Sequence, residues 1–178
     1  MGLFANFPVE DVTVLDIAAA AQMTPAAVYY HFESKDQILL EGLESFTKAL
    51  LAEAGSHLSQ RGDTNGLRNL IGDLLEWIGQ HRISAKVYFV KSTGLHLRVE
   101  ELRLKTRVGL TDQFSRTARA ARPDLKVMEA GVVGVALVSL LETSAVAMLT
   151  EDAVYHGVGA LRFPAEVQSL GDRIAGFS

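Results

Sequence analysis

Cysteine is absent from the 178 residues, proline occurs four times, and no strongly basic stretch opens the sequence. The first absence excludes disulfides and thiolate metal sites and accords with a reducing compartment, so a cytoplasmic location is expected. The scarcity of proline leaves long segments free to be helical. No basic run leads into an apolar core at the N-terminus, and no secretory signal is expected. Catalytic signatures are missing too. The five histidines, His31, His57, His81, His96 and His156, are never three to five residues apart. No His-Glu-x-x-His, Gly-x-Ser-x-Gly or Gly-rich phosphate loop occurs. Neither catalytic residues nor a cofactor nor a metal site is expected, and the chain does not read as an enzyme.

Long charge-free hydrophobic runs are also lacking. The most apolar stretch, "AGVVGVALVSLLETSAVAML" at 130–149, is interrupted by Ser139, Glu142, Thr143 and Ser144. An unpaired Glu is costly in lipid, so a buried helix at an oligomer interface is expected and no membrane partner. What remains is the composition of a globular protein, 48% apolar and 21% charged, large enough to bury a substantial core. The net charge of −4 argues against general affinity for polyanions, but it is unevenly spread. Residues 1–40 hold Lys35 against Glu10, Asp11, Asp16, Glu33 and Asp36, a balance of −4. Residues 96–122 hold seven Lys or Arg against three carboxylates, a balance of +4. That basic stretch reads as a solvated helix face or as an anion surface.

No strand pattern appears, whereas helical periodicity recurs throughout. Val14, Ile17, Ala18 and Ala21 fall on one helix face, and Thr13 with Asp16 three residues later makes a capping-box start. Thr24 suits the N-cap of the next helix and Pro25 its first position, with only Gln22 and Met23 between the two. Ser34 caps a third helix that runs to about residue 59 through Leu39, Leu43, Phe46 and Leu50. "SQRGDTNG" at 59–66 is the clearest break. Five further helices are expected near 65–80, 83–93, 97–121, 126–149 and 164–177, with 151–163 as a loop. The fold class is all-α: an N-terminal helix-turn-helix unit, residues 1–45, joined by a long helix to a helical body, residues 46–178.

The stretch "TPAAVYYHFESKDQIL", residues 24–39, is unusual in combining small and polar-tipped aromatic side chains. With Val28 and Phe32 facing inward, helical geometry turns Ala26, Ala27 and Tyr30 outward, with Tyr29 and His31 on the flanks. Small residues at an exposed helix start admit close approach to another surface, as a recognition helix entering a DNA major groove requires. Lys35, at the start of the next helix, suits a phosphate. Singly, each of Tyr29, Tyr30 and His31 also suits a packing or structural hydrogen-bonding role; the pattern as a whole favours contact.

The segment "TVLDIAAAAQMTPAAVYYHFESKDQILLEGL", residues 13–43, resembles the TetR/AcrR family of bacterial transcriptional regulators. Beyond it the likeness is one of helix order. The resemblance implies a TetR-like homodimeric repressor that binds palindromic operator DNA and is released by a small-molecule effector. It implies phosphate contacts by Thr13, Tyr29, Tyr30 or His31, and Lys35, and base-facing roles for Thr24, Ala26 and Ala27, with Pro25 among the DNA-binding residues. The family usually carries a full first helix, whereas "MGLFANF" supplies only its end. Leu3, Phe4 and Phe7 are therefore expected to cover the apolar faces. Gln22 stands where the family usually has glycine; a left-handed backbone there would cost about 1 kcal/mol.

In the body, Trp77, His81, Tyr88 and Phe89 lie within two helices, and Glu142 and Thr143 interrupt an apolar one. These six are the candidate effector contacts, since ligand pockets combine apolar walls with a few polar groups. Trp77 and Phe89 taken singly suit plain core better, and Glu142 and Thr143 equally suit hydrogen bonding at a dimer interface. Candidate interface residues are Val132, Val135, Leu141, Val146, Val167, Leu170 and Ile174. The alternative function is a family relative that has lost strong DNA binding and acts as a ligand- or partner-binding helical dimer.

Overall fold

The computed structural model describes residues 1–56 and 65–176, with the side chains of 65–68 left aside. The described residues contain helices and no strand. The elements are α1 (Gly2–Asn6), α2 (Val14–Ala20), α3 (Pro25–His31), α4 (Lys35–Ser56), α5 (Asn65–Gln80), α6 (Arg82–Lys86), a π-helical turn (Val87–Lys91), α7 (Leu97–Ala121), α8 (Val127–Thr150), α9 (Ala153–Val158) and α10 (Phe163–Ala175). His57, most of the 59–66 break and Phe177 lie outside the described residues.

The body is built on the antiparallel pair α7 and α8, with α10 and α5 packed beside them. The pair approaches closely at Gly134, where a Cβ would stand 2.7 Å from the Thr111 carbonyl oxygen. Only glycine fits there without moving a backbone. Phe114, Leu110, Leu137, Val138 and Leu141 fill the seam. On α5, Leu70, Ile71, Leu74, Leu75 and Ile78 are all buried, as their helical spacing predicts.

Two elements depart from the sequence reading. Residues 83–93 form α6 followed by the π turn, and the sequence carries no periodicity change that would mark it. The expected loop at 151–163 contains α9, whose first turn is held by Asp152 accepting from the Tyr155 amide at 2.9 Å. Glu151 takes the left-handed conformation that ends α8, and Arg82 closes that end by pairing with Glu151 at 2.6 Å. A cation near a helix C-terminus is favourably placed against the helix dipole.

α8 is long and apolar enough to cross a membrane by length and composition. It packs on α7, α10 and α5, and buries Ala130, Gly134, Leu137, Val138, Leu141 and Ala145. A central helix of a bundle passes the same compositional test.

One apolar cluster runs from Phe4, Val9 and Val12 through Leu39, Leu43 and Phe46 into the body. α1 is five residues long and packs on α6 and the π turn, burying Phe4 and Ala5. Leu3 is half-buried as a covering residue should be, but Phe7 is 53% exposed and covers little.

Candidate nucleic-acid interface

α2 and α3 are seven residues each, too short to persist alone in water, so their ends must be held. Thr13 Oγ1 accepts from the Asp16 amide at 3.2 Å while the Thr13 amide donates to Asp16 Oδ2 at 2.9 Å. The capping box read from the sequence is thus closed in both directions. Hydrogen bonds from the Thr13 hydroxyl, and then from its amide, hold the Asp16 carboxyl below the usual carboxylate range. Thr24 Oγ1 accepts from the Ala27 amide at 3.2 Å, and Pro25 occupies the first turn of α3. Ser34 accepts from the Gln37 amide at 3.2 Å, and Gln37 reaches back to the Glu33 amide. Between α2 and α3 the chain turns at Gln22, whose φ of 56° is left-handed. The strain expected for a non-glycine residue at that position is present.

The face that these caps present is exposed. Val28 is 3% exposed and Ala18 1%, so each short helix buries one residue deeply. Tyr30 is 85% exposed and Tyr29 58%, while Thr13, Thr24, Pro25, Ala26 and His31 are also open to solvent. Ala27 is half-buried, and Phe32 is half-buried in extended backbone just past the end of α3. Tyr30 and His31 meet edge to face with ring centroids 5.1 Å apart. Lys35 does not extend into solvent: its Nζ donates to the carbonyls of Val9, at 2.7 Å, and Glu10, at 3.1 Å. Those residues lie about 25 positions upstream, and no local pattern signals the tie. A phosphate would have to use its remaining proton or displace a carbonyl.

In the body the candidate effector residues divide. Trp77, Tyr88 and Phe89 surround Phe46 of α4, with centroid separations of 5.6, 5.5 and 6.2 Å. The sequence reading placed Phe46 only on one face of the third helix, not among the candidate effector contacts. His81 stacks on Trp77 at 4.0 Å, and its Nδ1 lies 2.9 Å from the Trp77 carbonyl oxygen. Burial pushes the Tyr88 hydroxyl up from its ordinary pKa, opposed by a hydrogen bond with Thr106 and the nearby Arg103 charge. The Arg103 guanidinium sits 5.3 Å from the centre of the Tyr88 ring and bonds Ser92 Oγ at 3.1 Å. Glu142 joins this region through Arg107, 3.3 Å away, whereas Thr143 is exposed on the outer side of α8. A separate open groove of about 750 Å³ lies between α5 and the start of α10, lined by Gly72, Glu76, Gly79, Leu161 and Gln168 among others. Sequence reasoning missed it, because its walls come from helices about 90 residues apart.

The candidate interface residues divide as well. Val132, Val135, Val146 and Leu170 are exposed on α8 and α10 at 71, 51, 37 and 41%. Leu141 and Val167 are instead buried inside the subunit, and Ile174 is half-buried. Helical rotation places Leu141 on the α7-facing side of α8, away from Val135 and Val146.

Residues 1–41 match the family model of bacterial regulatory proteins, tetR family. No curated protein matches the chain. Among solved structures, it is similar to a TetR-family transcriptional regulator from Bordetella parapertussis 12822 (TM-score 0.72, 17% identity, covering 98% of this chain and 89% of that one). The fatty acid degradation regulator FadR from Bacillus halodurans superposes with a TM-score of 0.71 at 13% identity, over 98% of this chain and 92% of that one. The ketosteroid transcriptional regulator KstR2 of Mycobacterium tuberculosis gives 0.64 at 22% identity, over 98% and 88%. Residues 1–41 thus resemble the helix-turn-helix unit of the tetR family of bacterial regulatory proteins, and the fold from end to end is similar to that of the solved TetR-family regulator.

Proposed function

We propose that this protein is a transcriptional regulator that represses as a homodimer bound to palindromic operator DNA and is released by a small-molecule effector. The observation that carries the reading is the face of α3. A helix stabilised by its own N-cap holds Ala26, Tyr29, Tyr30 and His31 in solvent and buries Val28 behind them. Thr13 and Lys35 flank that face as candidate phosphate contacts. We divide the chain within α4, residues 1–45 reading DNA and 46–178 forming the effector-binding and dimerisation body. Val132, Val135, Val146 and Leu170 are the apolar residues left open for a second copy. Effector contacts are assigned to the Trp77, His81, Tyr88 and Phe89 group with Glu142. We place the protein in the cytoplasm and assign it no catalytic role.

A second reading, a dimer without strong DNA binding, is favoured by one pair of observations. The first 40 residues carry a balance of −4, and their single cation is tied to backbone carbonyls. Salt dependence separates the two. Titration of the chain with duplex DNA at several salt concentrations should show affinity falling steeply as salt rises, with a slope set by the phosphates neutralised. Undetectable binding to every duplex at low salt would leave the second reading standing. Lys35→Ala should weaken binding to all sequences alike, and Ala27→Leu should disturb site-specific binding more; equal effects of both on random DNA would contradict this division of roles.

A further inference from the structure

Duplex sequence is read in the major groove in two chemically distinct ways. Arg, Lys, Asn, Gln, Asp and Glu make hydrogen bonds to purine N7 and O6 or to exocyclic amines, and small apolar groups pack on the thymine 5-methyl. From Thr13 to Phe32 the reading unit contains no Arg, Lys, Asn or Glu, and only Asp16 and Gln22 carry a carboxylate or amide. Asp16 is engaged by the amide and hydroxyl of Thr13 at the start of α2. Gln22 lies in the left-handed turn, ahead of α3. The leading part of α3 offers the Thr24 methyl, the Pro25 ring and the Ala26 methyl, all exposed. The Thr24 hydroxyl oxygen already accepts from the Ala27 amide. The hydroxyls of Tyr29 and Tyr30 and the ring of His31 come later on the helix, on the side assigned to phosphates. On the DNA-binding reading of this face, we infer that α3 takes its sequence information chiefly from thymine methyl groups rather than from hydrogen bonds to purine edges.

The inference rests on the proposed DNA binding but can fail independently of it. A pool of randomised duplex DNA is enriched on the full-length chain, and the consensus duplex is then resynthesised in three forms: native, with deoxyuridine replacing thymidine, and with 7-deazapurines replacing purines. Each methyl packed on α3 should weaken binding about fourfold when removed, the effect of one buried methylene-sized group. The 7-deazapurine duplex should bind close to the native one. Ala26→Gly should shrink the ratio of native to deoxyuridine affinity. Any loss of folding in this variant weakens both duplexes alike and leaves the ratio untouched. Equal affinity for native and deoxyuridine duplexes, or a larger loss with 7-deazapurines, overturns the inference while DNA binding stands. Failure to enrich any sequence overturns the DNA-binding reading and the inference together.

Discussion

The reading unit and the body solve the same problem by different means. In the body, α7 and α8 run 25 and 24 residues and bury whole faces against each other, with Phe114, Leu137 and Val138 fully enclosed. Packing of this kind is worth far more than helix propensity. In the reading unit, α2 and α3 each bury one residue deeply, and neither Ala18 nor Val28 belongs to the continuous apolar cluster. Their order depends on side-chain caps, on the Lys35 tie and on the packing of α2 against α3. A surface left open to solvent cannot also be buried, so the polar ends of the helices carry what the core cannot. The reading unit is therefore the more easily opened of the two.

The largest test of this contrast lies in the body. Phe114→Ala should cost about 3–5 kcal/mol in urea unfolding, because the closed seam cannot collapse around the void. A loss under about 1 kcal/mol would mean that the α7–α8 seam is looser than its geometry indicates. Thr13→Ala should cost about 1 kcal/mol. Its effect should concentrate in faster amide exchange over 13–31, with the body unchanged; uniform acceleration along the chain would abolish the distinction between the regions. Gln22→Gly acts in the opposite direction, gaining about 0.5–1 kcal/mol by relieving the left-handed strain. A destabilised variant would show that the Gln22 side chain does something the structure does not reveal. The smallest effect concerns acid. Because hydrogen bonding lowers the Asp16 pKa in the folded state, its stabilisation is present above the ordinary carboxylate range and is lost as pH falls through the folded value, below about pH 4. Asp16→Asn should therefore differ from the parent at pH 6, with the difference shrinking as pH falls below the ordinary carboxylate range, by amide exchange over α2. A constant difference across that range would count against the carboxylate.

Legibility followed the range of the interactions. The caps at Thr13, Thr24 and Ser34 join residues three apart, so spacing alone identifies them. Val28 as the inward residue of α3 followed from helical periodicity on a helix with one branched aliphatic side chain. α8 is different: it is apolar nearly all round, and periodicity cannot say which apolar side faces α7 and which faces solvent. Leu141 shares that helix with Val132 and Val135, and only packing separates it from them. Phe46 joins Trp77, Tyr88 and Phe89 across 31 to 43 positions, and Lys35 reaches back to Val9 and Glu10. Neither contact leaves a mark on its neighbours in sequence.

By itself the sequence determined that the chain is helical, where the helix-turn-helix begins and turns, and which side chains its reading helix can offer. These are properties of hydrogen bonds and rotations within a few residues. The tertiary structure alone decided that Lys35 is tied to a carbonyl pair, that α1 rests on α6, and that one side of α8 stays open while the other is sealed. Each of these depends on how distant helices share a single core, and that packing is settled only when the whole chain competes for the same space.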